Sequence, residues 1–128
     1  EPAQKPHVKS IEHHLEKIKM NIQIPRAGWP TVVDQISQDN QNRLVKVEFL
    51  SSNQHAEPLA DEIPFLALDF DPQREGKILV SIGKENNGLT THVIDAPEAL
   101  WLERMEDGTA VALEIIAEEE KIIVSFLA

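Results

Sequence analysis

From Arg43 to Leu127 apolar and polar side chains alternate almost residue by residue. That is the spacing of a strand with one buried face, because successive side chains on an extended backbone point to opposite sides. Val45, Val47 and Phe49 oppose Lys46 and Glu48; after Pro64, Leu66, Leu68 and Phe70 oppose Asp69; Ile78, Val80 and Ile82 form a third set. Further strands are predicted over Leu89–Ile94, Leu100–Met105, 109–117 and 121–127. Turn chemistry separates them: Ser51 to His55 reads as a loop, Asp71-Pro72 through Gly76 as a turn, Asn87-Gly88 as a hairpin signal, Glu106-Asp107-Gly108 as a second turn and Glu118 to Lys121 as a hairpin connection.

The first part of the chain reads differently. Residues 1–9 carry two prolines among charged residues and predict a tail. From Ser10, a good N-cap, Ile11, Leu15, Ile18 and Ile22 recur at helical spacing, so an amphipathic helix is predicted over about 10 to 20 whose stripe docks on the domain or on another chain. Pro25 stops it, and Trp29-Pro30 opens a second helix to Gln38 with Val32, Val33 and Ile36 on its buried stripe. Strand following strand through short turns, with helices only in front, predicts a mainly β (α+β) fold. The expected architecture is a small antiparallel β-barrel or strongly curved sheet of about six strands, preceded by one or two N-terminal helices. The chain divides into an N-terminal tail and helix, 1–23, and a single helix-plus-β-barrel domain, 24–128.

Four short stretches carry a resemblance: Ile24-Pro25 followed by Trp29-Pro30, Leu44-Val45 with Val47-Glu48, Thr91-His92 with Ile94 and Pro97, and Ala112-Leu113-Glu114-Ile115. In these the chain resembles the domain of unknown function family 5335, small uncharacterised bacterial proteins, from Ile24 to the C-terminus. The resemblance implies a domain assignment and no activity, cofactor or catalytic residue. The segment before residue 20 lies outside it.

Composition narrows the partners. Twelve basic residues against 22 acidic ones give a formal charge of −10, which repels phosphate backbones and anionic lipid head groups, so neither nucleic acid nor a membrane is expected as a partner. At 128 residues the chain can bury one sizeable core without disulfides or a structural metal. It has no cysteine, which removes disulfides, thiolate metal sites and cysteine nucleophiles. No signal-peptide pattern is present and a cytoplasmic location is expected. Met20 offers an alternative start, which would make residues 1–19 an extension.

Candidate chemistry is sparse. His92, on a strand with Thr90 and Ile94 and followed by Asp95, could exchange protons with a carboxylate near neutral pH if the fold brings Asp69 or Asp95 to it. Neither a nucleophile nor an oxyanion device accompanies it, and a strand histidine bonded to the backbone accounts for it as well. Asp69, Asp71 and Glu75 suggest calcium, but an EF-hand loop beginning at Asp69 would need glycine where Arg74 stands and glutamate where Val80 stands, so a solvated turn is the better account. His13 and Glu16 share a helical face, yet two ligands make no metal site. Glu118, Glu119 and Glu120 read as a solvated hairpin tip. Trp29 is assigned to the core, whereas Trp101 points outward if Leu100 and Leu102 point inward.

These features favour a non-enzymatic protein-interaction or assembly module. Ile11, Leu15, Ile18 and Trp101 are the candidate interface, with a protein partner or self-association as its use and no cofactor or metal. The alternative is a small-ligand-binding protein or enzyme with a site built around His92, Asp69 and Asp95.

Overall fold

The computed structural model describes residues 18–51, 57–84 and 87–127. Eight strands form one antiparallel sheet: β1 (Lys19–Gln23), β2 (Leu44–Ser51), β3 (Glu57–Asp71), β4 (Lys77–Lys84), β5 (Asn87–Asp95), β6 (Ala99–Met105), β7 (Ala110–Ile116) and β8 (Glu120–Phe126). They lie in the order β1-β6-β7-β8-β2-β3-β4-β5. A 3₁₀ turn (Arg26–Gly28) leads into the one described helix, α1 (Trp29–Asn40).

The sheet is open, with β1 and β5 at its edges, so the expected closed barrel is corrected, and eight strands stand where about six were expected. The reason lies in β3. Its first half pairs with β2, from Phe49↔Glu57 to Leu44↔Pro64, and its second half pairs with β4, from Phe65↔Ile82 to Asp71↔Lys77. No residue of β3 pairs on both sides. Register shifts interrupt the β2 pairing, and Glu62 takes a left-handed φ of 54°, the kind of irregularity that bends a strand. Pro64 falls where the exchange occurs, and without an N–H it has no donor to give to a ladder.

Where β2 departs, the free edge of β3 must be satisfied another way. The backbone around Asn42 takes the first two groups: Asn42 N–H donates to Phe65 O at 2.7 Å and Phe65 N–H donates to Arg43 O at 2.7 Å. The helix takes the next two. The Ser37 hydroxyl donates to Leu68 O and accepts from Leu68 N–H, both at 2.8 Å. One hydroxyl thus replaces a strand partner.

The core is what alternation predicts on most strands: Val45 and Val47, Ile78, Val80 and Ile82, Ile94, Leu100, Leu113 and Ile115, and Ile122, Val124 and Phe126 are buried. On β3 the prediction slips. A register shift between Phe65 and Ala67 puts Phe65 in the core and leaves Leu66 half-buried, while Leu68 stays inward as expected. From α1 the buried set is Trp29, Val33 and Ile36, with Val32 at its margin. Trp29 meets Phe70 edge to face at 5.5 Å between centroids, and its indole N–H donates to Ile24 O at 2.9 Å.

The predicted helix over 10 to 20 is corrected at its end. Ile11 and Leu15 lie outside the described residues, but Lys19–Gln23 is strand, and Ile22 pairs with Leu102 of β6. Five residues pair with the β6 edge and alternate ones among them gain ladder bonds, whereas a short isolated helix is marginal in water.

Replacing Trp29 removes both the helix anchor and its hydrogen bond. Trp29→Ala is expected to cost about 4 kcal/mol by chemical denaturation, whereas an exposed change such as Thr31→Ala costs about 0.5 kcal/mol or less. A Trp29→Ala cost as small as that of Thr31→Ala would contradict its place in the core.

Candidate functional site

His92, Asp69 and Asp95 are the residues on which sequence reasoning centred a polar site. Register places His92 beside Val80, in line with Leu68, on the inner face, where it is half-buried. Asp69 and Asp95 are exposed, and both belong to the outer face: Asp69 shares its row with Leu79 and Val93, and Asp95 shares its row with Lys77. A strand carries residues three apart on opposite sides, so His92 and Asp95 are neighbours in sequence and divided by the sheet. Asp95 lies 3.7 Å from the Lys77 ammonium instead. The three are not brought together. Asp71, from the rejected calcium reading, accepts from Gln73 N–H at 3.0 Å and closes the β3–β4 turn. Among the described residues no group of three or more His, Asp or Glu is arranged to hold a metal ion.

Trp101 sits opposite Gln23 and Glu114 on the outer face of β6, as its alternation with Leu100 requires. It is half-buried and lines a shallow depression of about 200 Å³ with Asn21, Glu103, Ala112, Glu114 and Ile123. Glu114 is held by the Lys121 ammonium at 3.0 Å. Of the other interface candidates, Ile18 is half-buried and Ile11 and Leu15 lie outside the described residues.

A larger surface cleft, about 720 Å³, opens where the β3–β4, β5–β6 and β7–β8 connections meet; its charged lining is Arg26, Glu75, Asp95, Glu98, Glu118, Glu119 and Glu120. Arg26 is the residue that sequence reasoning missed. Its guanidinium donates to Pro97 O at 3.2 Å and to Glu75 O at 2.8 Å while lying over the Trp29 ring at 4.7 Å and the Phe70 ring at 5.8 Å. Gly76 leaves the space for it: a β-carbon there would stand 2.7 Å from Arg26 Nη2, and φ is 88°. The planar fork is spent on backbone carbonyls, so the arginine fastens the loops and the carboxylates stay in solvent. No signal in the sequence distinguishes such an arginine from a surface one, because both its acceptors are main-chain atoms far along the chain.

On the side of α1, Val32, Gln35, Leu102, Arg104 and Asp107 line a depression of about 490 Å³. The Asp107 carboxylate accepts from Thr109 N–H at 2.9 Å. Hydrogen bonds from the Thr109 backbone and side chain hold its pKa below the ordinary carboxylate value.

The sheet's two edges differ. β1 is five residues long with Lys19, Asn21 and Gln23, which is the short and polar edge that resists further pairing. β5 is nine residues long, and from Gly88 to Ile94 it has no Lys, Arg, Asp, Glu or Pro. Leu89 and Val93 are 45% and 43% exposed, two of the four large apolar side chains exposed among the described residues and the two that share one strand. The described residues therefore form an α+β domain with an apolar core and, on β5, a strand edge that none of them pairs with. Residues 20–128 match the Family of unknown function (DUF5335), and the chain belongs to that family. No curated protein and no solved structure matches it.

Two outcomes are expected. Arg26→Ala costs about 2 kcal/mol, Arg26→Lys recovers little of it, and Gly76→Ala is less costly in the Arg26→Ala background than alone. Equal Gly76→Ala costs in both backgrounds, read by denaturation, would contradict the packing. Carboxyl NMR should find Asp107 titrating below an ordinary aspartate; because the folded value is depressed, its contribution to stability is full above the unfolded pKa and disappears as pH falls through the folded one. Thr109→Ala should move the midpoint upward, and an unmoved, ordinary midpoint in the native protein would contradict the assignment.

Proposed function

We propose that this domain acts by binding another protein chain rather than by catalysis, and that β5 is where the partner is received. The observation that carries this reading is the edge itself: nine residues of strand with exposed Leu89 and Val93, no charge or proline from Gly88 to Ile94, and no strand paired to its outer side among the described residues. Soluble proteins blunt long edges because unpaired N–H and C=O groups recruit other strands. An edge left open is suited to β-augmentation, in which main-chain hydrogen bonds supply affinity and alternate side chains supply specificity. Packing supports the same reading. Val, Ile, Leu and Phe occupy the inner face, and the polar residues named for a reactive centre are divided between two faces. The half-buried Trp101 surface is a secondary contact under this reading, on the opposite arm of the sheet.

A photo-crosslinking residue placed at Thr91 tests it in cells of the source organism. Discrete adducts are expected at Thr91 and not at the exposed helix position Gln38, and Val93→Lys should abolish them. An absence of adducts at Thr91, or equal labelling from Gln38, would contradict the reading.

A further inference from the structure

The direction of the backbone groups on β5 follows from one hydrogen bond. Ala96 N–H donates to Gly76 O at 2.9 Å, and antiparallel pairing alternates bonded and non-bonded pairs. Thr90, His92 and Ile94 therefore turn their N–H and C=O toward Ile82, Val80 and Ile78 of β4. Leu89, Thr91, Val93 and Asp95 turn theirs to the free side. Among the described residues none of these four makes a backbone bond there.

We infer that the chain received by this edge is β5 of a second copy, paired antiparallel across a two-fold axis at Thr91. This rests on the reading of β5 as a strand acceptor and names its partner. The strand is self-complementary about Thr91. Thr91 meets itself as a hydrogen-bonded pair, and Leu89 of each copy meets Val93 of the other, so the free N–H and C=O groups of all three residues find partners. The same register brings Leu89 and Val93 together on the outer face, each beside its own neighbours on β4, so Leu89 and Val93 of one copy cover those of the other.

Charge fits the same occupant. The chain carries −10, and two copies would repel across most of their surfaces. The seven central positions of β5 hold no formal charge, so no like charges are set opposite each other. At the ends, Asp95 of one copy is set against position 87 of the other, whose partner on β4 is Lys84. Acidic and basic positions are thereby brought to the same end of the ladder. A C2 pairing of this kind is isologous and closes on itself, which uses up both β5 edges and leaves at the ends of the joined sheet the short, polar β1 of each copy.

The chain has no native cysteine, so a single substitution reports the pairing. In the full chain, Thr91→Cys should oxidise to a disulfide-linked dimer, since hydrogen-bonded residues opposite one another place their Cα atoms about 5.5 Å apart, within disulfide range. Gln38→Cys on α1 should oxidise more slowly, and adding Val93→Lys to Thr91→Cys should remove the advantage. Light scattering on the native chain should give about twice the monomer mass, and Val93→Lys should return the monomer with its far-ultraviolet circular dichroism intact. A monomeric native chain, with Thr91→Cys oxidising no faster than Gln38→Cys, would overturn the second-copy assignment. If photo-adducts at Thr91 then contain a different protein, the edge reading stands without the dimer; if there are none, both fall.

Discussion

The constraint on which the structure depends is the supply of hydrogen-bond partners to β3 where it leaves one neighbour and takes another. An antiparallel strand in mid-sheet normally has a ladder on both sides. β3 has β2 on one side for its first half and β4 on the other for its second, so a row of buried backbone groups would be orphaned at the corner. Asn42 and Arg43 meet that row at Phe65, and the Ser37 hydroxyl meets it at Leu68. The helix is thereby fixed alongside β3, and its apolar residues complete the core above a sheet that never closes.

Two arginines fasten this arrangement beyond either end of α1. Arg26 ties the β3–β4 and β5–β6 connections to the Trp29 and Phe70 rings. Arg43 donates to Asn40 Oδ1, Ala110 O and Leu127 O at 2.8, 3.0 and 3.2 Å and lies 5.0 Å from the Phe126 ring. Each gathers carbonyls from segments far apart in sequence and shields them with an aromatic face. Among the described residues the inner face is taken up by apolar side chains and the connections are tied, which is why the proposed function is assigned to surface and edge. An open sheet has two edges, and only β1 is short and polar.

Much of this was legible in the chain itself. Strict alternation located the strand cores of β2, β4, β7 and β8, because a half-buried strand leaves a period of two whatever it pairs with. Pro30 and the stripe of Val33 and Ile36 locate α1, and alternation turns Trp101 away from the buried Leu100. Three things were not legible. The bulge after Phe65 carries no glycine or proline of its own to mark it, so alternation assigns Leu66 to the core. Lys19–Gln23 has no intrinsic claim to be a strand and becomes one by pairing with β6. The separation of His92 from Asp69 and Asp95 depends on which face each strand presents, a tertiary fact that spacing along the chain does not contain. The bare edge of β5 was hidden for a similar reason, since a strand's place in the sheet order is invisible to its own residues.

The claim that a side-chain hydroxyl stands in for a strand at the β3 corner is tested most directly by amide hydrogen exchange at Leu68, compared between the native chain and Ser37→Ala. The account predicts that the Leu68 amide is protected to the level of the core strands in the native protein, and that Ser37→Ala lowers its protection selectively while amides of β7 and β8 keep theirs relative to global stability. A Leu68 amide that exchanges freely in the native chain, or one whose protection is indifferent to Ser37, would contradict it.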